Sequence, residues 1–472
     1  MELHLTVDRS LRVPLALQVA HGIRDAIFTQ RLSPGTRLPP TRELSQRLGL
    51  SRMVVVEAYE WLAAEGYLES RTGSGSYISK TVMWLIAPPA PVPDPPRRTD
   101  ELPSRNVLFN FRPGLPALDR FPREAWNRAL SRAVFKADVE QLGYGPVEGL
   151  PRLRRVIAEY IARTRGLPVA PERVVITVGA AQAVDLMLRS LTPISKLAIE
   201  EPGPEPVRRV LQLHGIRPLP IPVDEQGLRV ESLPDNESAP KVVHVIPSHQ
   251  YPTGWAMSLE RRAKLLAWAD AHDSAVIEDD YDSEFRYDRS PPIALAALDR
   301  SQRVIYIGSF SKTMFPGLRL GFCIVPERFI GRFLDLKWFS DRCVPIFEQL
   351  ALAEWIESGT LEQHIRKMRK IYAQRRNALL SALNLHFGKT VRVLGVPAGM
   401  HMMLDLDLKL SEVEVMERAI SRGIKLYPAS PCFIAPRSQG SSLIIGFGHL
   451  SSERIAVGVH RLAGALGREI KR

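Results

Sequence analysis

The 472-residue chain is 45% hydrophobic and carries 63 Lys and Arg against 51 Asp and Glu, a formal net charge of +12. That length and apolar content suffice for sizeable cores in more than one domain. No apolar run is long enough to cross a bilayer and no basic-then-apolar leader opens the chain, so the expectation is a cytoplasmic protein without a membrane partner. Three scattered cysteines, Cys323, Cys343 and Cys432, argue against a disulfide framework and against a metal site, so none is expected.

The net charge invites a nucleic-acid reading through counterion release. Cations and anions nearly balance in Met1 to Lys80, however, and most of the excess lies beyond it, so pattern has to identify any DNA-binding part. Pro14 to Arg31 holds Val19, Ile23 and Ile27 at helical spacing and stops at Pro34-Gly35. Thr41 is expected to cap a second short helix, with Leu44 and Leu48 one turn apart and Gly49 at its end. Ser51 caps a third, where Val55, Tyr59 and Leu62 form one apolar stripe that ends at Gly66. Two short helices joined by Gly49-Leu50-Ser51 predict a helix-turn-helix. Tyr67 to Ser70 and Ser76 to Ser79 flank RTGSG, with Gly73 at the tip of a predicted wing. The start of the second helix of such a pair enters the major groove, which nominates Ser51, Arg52 and Met53 for base edges. Thr41 and Arg42 are then expected at backbone phosphates or an adjacent base. PGTRLPPTRELSQRLGLSR, followed by AYEWLAAEGYLESRTGSGSYI, resembles the winged helix of the GntR regulators, whose partner is a double-stranded DNA operator. Family members often carry Asn and Thr after the Ser-Arg pair. Met53 and Val54 stand there instead and imply a different base or a thymine methyl.

Three segments are expected: a DNA-binding domain over 1–80, a linker over 81–108 and a large domain over 109–472. Ala87 to Pro96 reads APPAPVPDPP, an extended polyproline spacer. Trp84, Leu85 and Ile86 before it can dock on either domain.

From Val174 onward, short apolar strands alternate with helical patterns, which predicts a mainly parallel α/β sheet. The strands are Val174 to Thr177, Leu197 to Ile199, Val242 to Ile246, Val276 to Ile277 and Val304 to Ile307. Ligands sit at strand carboxyl ends in such sheets. There the chain places Gly179-Ala180-Ala181-Gln182 opening a helix, His249-Gln250-Tyr251, then Glu278, Asp279, Asp280 and Tyr281, and finally Ser309, Ser311, Lys312 and Arg319. A lysine can form a Schiff base with an aldehyde. A carboxylate can pair with a protonated pyridine nitrogen, and a tyrosine can reach the phenolic oxygen of the same ring. Serines, an arginine and a helix N-terminus can hold a phosphate. Together these are what pyridoxal 5'-phosphate needs as an electron sink.

The order of GAAQ, HQYPTG, EDDYDSEF and SFSKTMFPGLRLGF is similar to that in the MocR subfamily of GntR regulators, and the similarity spans nearly the whole chain. It implies a fold-type I aminotransferase-like domain joined by the linker to the winged helix, in a head-to-tail homodimer. Lys312 would carry the Schiff base, Asp279 the ring nitrogen and Tyr281 the ring oxygen, while His249, Gln250 and Tyr251 would hydrogen-bond the ring oxygen or the bound amine, or one of them would be a satisfied structural polar group. Gly179, Ala180, Ala181, Ser309, Ser311 and Arg319 would hold the phosphate. Gly143-Tyr144-Gly145 resembles the loop that reaches the neighbouring subunit's cofactor. Two departures stand out. EEPGPEP puts Pro204 where the family usually has a tyrosine beside the cofactor, and LYPASPCFI lacks the arginine that commonly binds a substrate carboxylate, Arg437 being near in sequence only. The expected function is a regulator, not an enzyme, though residual or half-transamination is compatible with it, that senses an amino acid, an amine or the cofactor itself as a small-molecule effector. The alternative is an aminotransferase with a DNA-binding appendage.

Overall fold

The computed structural model describes residues 5–71, 73–82, 106–288, 292–435 and 441–467, and the chain divides into two compact units, Met1–Leu102 and Pro103–Arg472. The polyproline run, Trp84, Leu85, Ile86 and Arg437 lie outside the described residues.

The first unit contains α1 (Leu15–Phe28), α2 (Thr41–Leu48), α3 (Arg52–Ala64) and an antiparallel hairpin of β1 (Leu68–Arg71) and β2 (Gly75–Ile78). The helical repeats noted above converge, so that Val19, Ile23, Ile27, Leu44, Val55, Tyr59 and Leu62 are buried in one core with Leu38 and Ile78. Gly49 closes α2 at φ 63°, a left-handed turn that glycine makes without steric cost. Ser51 caps α3, its hydroxyl accepting from the Val54 amide at 3.4 Å. Thr41 is not a cap. It is the first residue of α2, behind an extended Pro40, and its Oγ1 lies 3.5 Å from Arg52 Nε. Proline fixes φ near the extended entry value, so the helix starts without a side-chain acceptor.

The second unit begins with β3 (Phe109–Asn110) and builds an eight-stranded sheet. Its strands are β4 (Val174–Thr177), β5 (Lys196–Glu201), β6 (Arg217–Asp224), β7 (Gly227–Leu228), β8 (Val242–Val245), β9 (Ala275–Asp280), β10 (Val304–Ser309) and β11 (Gly321–Ile324). The spatial order is β4-β11-β10-β9-β8-β5-β6-β7. The pairs from β10 through β6 are parallel, whereas β11 runs antiparallel to both β10 and β4, and β7 antiparallel to β6. Sequence patterns did not predict β6, whose RPLPIPVD carries prolines at 218, 220 and 222. Alternate prolines all lack their donor on one edge, and that edge meets β7 only at Val223 and Asp224, while the opposite edge pairs with β5. A second sheet joins β12 (Val391–Val393), β13 (His401–Leu406) and β15 (Ser441–Gly446), and β14 (Ile424–Lys425) pairs with β3. The helices Thr360–Phe387 and Ser452–Leu466 pack against each other in the same large core.

Side chains alternate across a strand, and this sorts the three acids of β9. Glu278 and Asp280 share one face. Glu278 is buried and accepts from the Leu295 and Ala296 amides at 2.8 Å. Asp280 accepts from buried Arg165 Nε at 2.7 Å, from Ser283 at 3.0 Å and from Tyr306. Arg165 also binds Ser248 and the Pro292 carbonyl. Asp279, between them, points the other way. Removing the guanidinium strands a buried carboxylate. We therefore expect Arg165→Met to destabilise this unit by about 3–5 kcal/mol in urea denaturation, and a loss below about 1 kcal/mol would refute the role given to the pair.

Candidate functional site

A cavity of about 350 Å³ opens at the carboxyl ends of the parallel strands. Its polar wall comprises Tyr251, Asp279, Tyr281, Lys312 and His401; its apolar wall includes Val184, Pro204, Pro206, Val207, Val210 and Ile246. Lys312 sits in the return between β10 and β11, and its Nζ donates to the Gly114 carbonyl at 2.8 Å. Gly114 has φ 68°, and a Cβ there would stand 3.1 Å from that nitrogen, so only glycine lets the chain approach so closely. Burial pushes the Lys312 ammonium below the usual lysine range, opposed by Asp282 and Asp279 and assisted by Arg112. An amine that sheds its proton more readily is a better nucleophile.

Asp279 Oδ1 is buried with no hydrogen-bond partner among the described residues, and Oδ2 lies 3.8 Å from His244 Nε2, which is also unpartnered. A buried carboxylate oxygen without a donor costs free energy that an incoming N–H group would recover. Tyr281 is set by its neighbours. His249 Nδ1 is 3.0 Å from both Asp282 oxygens and 3.1 Å from the Tyr281 hydroxyl. A carboxylate only accepts, so Nδ1 carries the hydrogen and cannot accept from Tyr281. The Tyr281 proton, held on by burial, is left for a group in the cavity.

Gly179 precedes the helix Ala180–Ser190, whose first residues line the cavity and present free backbone amides. Arg319 adopts φ 53°, a left-handed conformation that costs a non-glycine residue roughly 1–3 kcal/mol. Its guanidinium nitrogens lie 3.2 and 3.3 Å from where a Gly179 Cβ would stand. Gly321 abuts Gly179 and pairs with Ser309, whose Oγ accepts from the Ser311 amide at 3.2 Å. Gly179, Ser309 and Arg319 thus gather at one corner with Ser311 adjoining, beside the lining residues Ala180 and Ala181.

Of His249, Gln250 and Tyr251, only Tyr251 lines the cavity. Gln250 turns inward, donating to Glu200 Oε2 and the Pro202 carbonyl and accepting from Thr253, so it braces the loop and does not offer the ligand contact expected of it. Burial raises its partner Glu200 to about 8, which leaves that acid protonated at neutral pH. His249 commits its Nδ1–H to the Asp282 carboxylate. His244, His401 and Gly114 were not anticipated; they reach the site from strands and a loop that carry no motif. Pro204 lines the cavity, in company with Pro206 and Val207. His249, Asp282 and His401 hold ligand-capable atoms within 4.8 Å of one another, the one such group among the described residues, and two of the three are already bonded together. Tyr144 is 81% exposed, with Arg342 5.0 Å over its ring.

In the first unit Arg52 and Met53 open α3 in solvent, Met53 being 72% exposed. Arg42 is exposed on α2 and Gly73 is exposed at the hairpin tip with φ 75°. Arg9, not foreseen, donates to the Gly49 carbonyl at 2.7 Å and lines a groove with Arg12, Leu50 and Ser51 beside the start of α3.

Residues 15–78 match the bacterial regulatory proteins of the gntR family, and residues 110–462 match the aminotransferase class I and II family. The chain is 33% identical to the probable rhizopine catabolism regulatory protein MocR of Rhizobium meliloti, over 98% of this chain and 95% of that protein. It is 34% identical to the pyridoxine biosynthesis regulator PdxR of Corynebacterium glutamicum, over 91% of each. The structure of the α-aminoadipate aminotransferase LysN of Thermus thermophilus, complexed with N-(5'-phosphopyridoxyl)-L-leucine, superposes with a TM-score of 0.70 at 31% identity, over 77% of this chain and 92% of that one.

The environment of Lys312 is testable without any ligand. In dialysed protein its labelling by an amine-reactive reagent should show a midpoint below that of surface lysines. Asp279→Asn, which removes a charge that favours the ammonium, should lower that midpoint further. Coincident midpoints in the two proteins would contradict the proximity of the two groups.

Proposed function

From the premise that this chain belongs to the MocR subfamily of GntR regulators, its large domain a member of the aminotransferase class I and II family, we propose that it binds double-stranded operator DNA and holds pyridoxal 5'-phosphate to sense a small molecule. The signal is an amino acid, another primary amine or the cofactor itself. One observation carries the reading: a desolvated Lys312 amine and an unpartnered Asp279 oxygen face one cavity, in a chain that also carries a complete winged helix.

When bound, pyridoxal phosphate supplies an aldehyde that condenses reversibly with primary amines and a ring that withdraws electrons. Lys312 would be the protein's amine for that aldehyde. Asp279 would accept a hydrogen bond from the ring nitrogen and keep it protonated, and Tyr281 would direct its hydroxyl proton at the ring oxygen. Arg319, Ser309, Ser311 and the amides of Gly179, Ala180 and Ala181 would hold the phosphate. Tyr251 supplies an aromatic wall near the position where Pro204 offers none. At the DNA, Ser51, Arg52 and Met53 face base edges, Thr41 and Arg42 the adjoining backbone, and Gly73 lets the wing tip approach closely.

Similarity to LysN keeps an aminotransferase reading in view. Two observations favour the regulator. MocR and PdxR match over more than nine-tenths of the chain, winged helix included, and, apart from Arg319 at the phosphate corner, no described arginine stands at the cavity wall to bind a substrate carboxylate. Phe135, Val139, Leu142 and Tyr144 are each more than 60% exposed, an apolar row that supports a homodimer buried through this face, head to tail as in the subfamily. Such a protein works in the cytoplasm. An effector acts on DNA binding only through different affinities for two dimer states.

Treatment with pyridoxal phosphate and borohydride should leave a stable label on Lys312 and none on Lys312→Ala protein. Label spread over surface lysines alone would sink the cofactor assignment. In gel-shift titrations at fixed salt, Arg52→Ala should lose about 1–3 kcal/mol of operator discrimination while retaining non-specific binding. Undiminished sequence preference would remove α3 from the groove.

A further inference from the structure

We propose that His401 selects the effector, and that the cavity takes a primary amine carrying a hydroxyl or another hydrogen-bond donor that the His401 imidazole accepts; the proposal rests on the cofactor reading above. His401 opens β13 opposite Gly446 of β15, so its ring enters the cavity from a different sheet than the one that presents Lys312. It is 2% exposed, with ring centroids 5.0 Å from both His249 and Tyr251. Neither ring nitrogen closes a well-formed hydrogen bond to a described side chain or amide, and the one acceptor that acts on the ring is the Pro252 carbonyl. Buried polar groups are almost always paired, so the missing partner belongs to whatever fills the cavity.

The kind of partner follows from the proton count. Burial, then the neighbouring His249, hold the His401 ring well below the usual histidine range, and a neutral imidazole has one donor and one acceptor nitrogen. The Pro252 carbonyl faces the ring and can only accept, which draws the N–H to that side. The bare nitrogen is left for the ligand, where it attracts O–H or N–H and repels a carboxylate. The surrounding charges agree. Asp279 and Asp282 both exert their fields on Lys312, with Arg112 the one cation opposing them there, and no arginine among the described residues lines the cavity itself to pair with a third carboxylate. Ile246, Pro204 and Val207 offer apolar surface to a carbon skeleton.

The test uses the full-length protein loaded with pyridoxal phosphate, titrated with ethanolamine, ethylamine and alanine while the visible absorption of the cofactor is followed. Ethanolamine should bind about tenfold more tightly than ethylamine, and alanine no better than ethylamine. His401→Phe, which keeps a ring and removes the acceptor, should bring the ethanolamine-to-ethylamine ratio close to one. His401→Gln, whose carbonyl can accept, should restore part of it. The wild-type ratio and the Gln variant decide the matter even if the Phe variant does not fold. A wild-type ratio near one overturns the proposal, as does a ratio unchanged in His401→Phe or tightest binding by alanine. A preference that needs added zinc and vanishes with chelator overturns it too, since His249, Asp282 and His401 would then be metal ligands. Failure of wild-type protein to develop cofactor absorption overturns the cofactor reading and this one together, whereas absorption without hydroxyl preference overturns this one alone.

Discussion

The site depends on the alternation of three successive acids along β9. One strand turns Glu278 and Asp280 into the body of the protein, where backbone amides hold both Glu278 oxygens and Arg165 and Tyr306 hold Asp280 Oδ2, and the same two-residue period turns Asp279 into the cavity, where no described side chain hydrogen-bonds its Oδ1. A shift of one residue in the register of β9 would exchange these roles, burying the reactive acid and exposing two that need partners. The parallel register of β9 against β8 and β10 therefore carries chemical meaning as well as structural meaning. Arg165 anchors that register from a helix far away in sequence.

Around this strand the cavity is assembled from separate layers. Lys312 and Arg319 come from the return between β10 and β11, Gly179 from the turn after β4, and His401 from the smaller sheet. The loop geometry is tight throughout. Gly114 admits the Lys312 amine, Gly321 presses on Gly179, and Arg319 accepts a left-handed backbone to bring its guanidinium over the same glycine. Strain of this kind persists only where the surroundings enforce it, and here the enforcing elements are the two antiparallel partners of β11.

Much of this was legible in the residues because strand ends in a parallel sheet are marked twice, by the end of an apolar run and by the polar residues that follow. The strand ends that lead to Gly179, Asp279 and Lys312 are marked that way, and Gly49 and Ser51 mark the α2–α3 turn. Two kinds of information were not legible. Local pattern is blind to satisfaction: Gln250 and Tyr251 are neighbours with equal claims on a ligand, and only the position of Glu200 and Pro202 shows that Gln250 is already taken. Pattern is also blind to convergence, since His401 and Gly114 stand in unremarkable segments and meet Lys312 only through the packing of the smaller sheet and the chain's approach to it. β6 was missed for a third reason, because proline counts against a strand unless its bare edge has no neighbour.

The bond from Lys312 to the Gly114 carbonyl ties the reactive amine to the stretch that leads into the large unit from its N-terminal side. Once that amine is engaged elsewhere the carbonyl loses its donor, and the segment carrying it gains freedom to settle differently. Chemistry at the nitrogen and conformation of the incoming chain then share a single free-energy cycle, so displacing Gly114 must shift the equilibrium for engaging the Lys312 amine by the same free energy with which engaging that amine shifts the placement of Gly114.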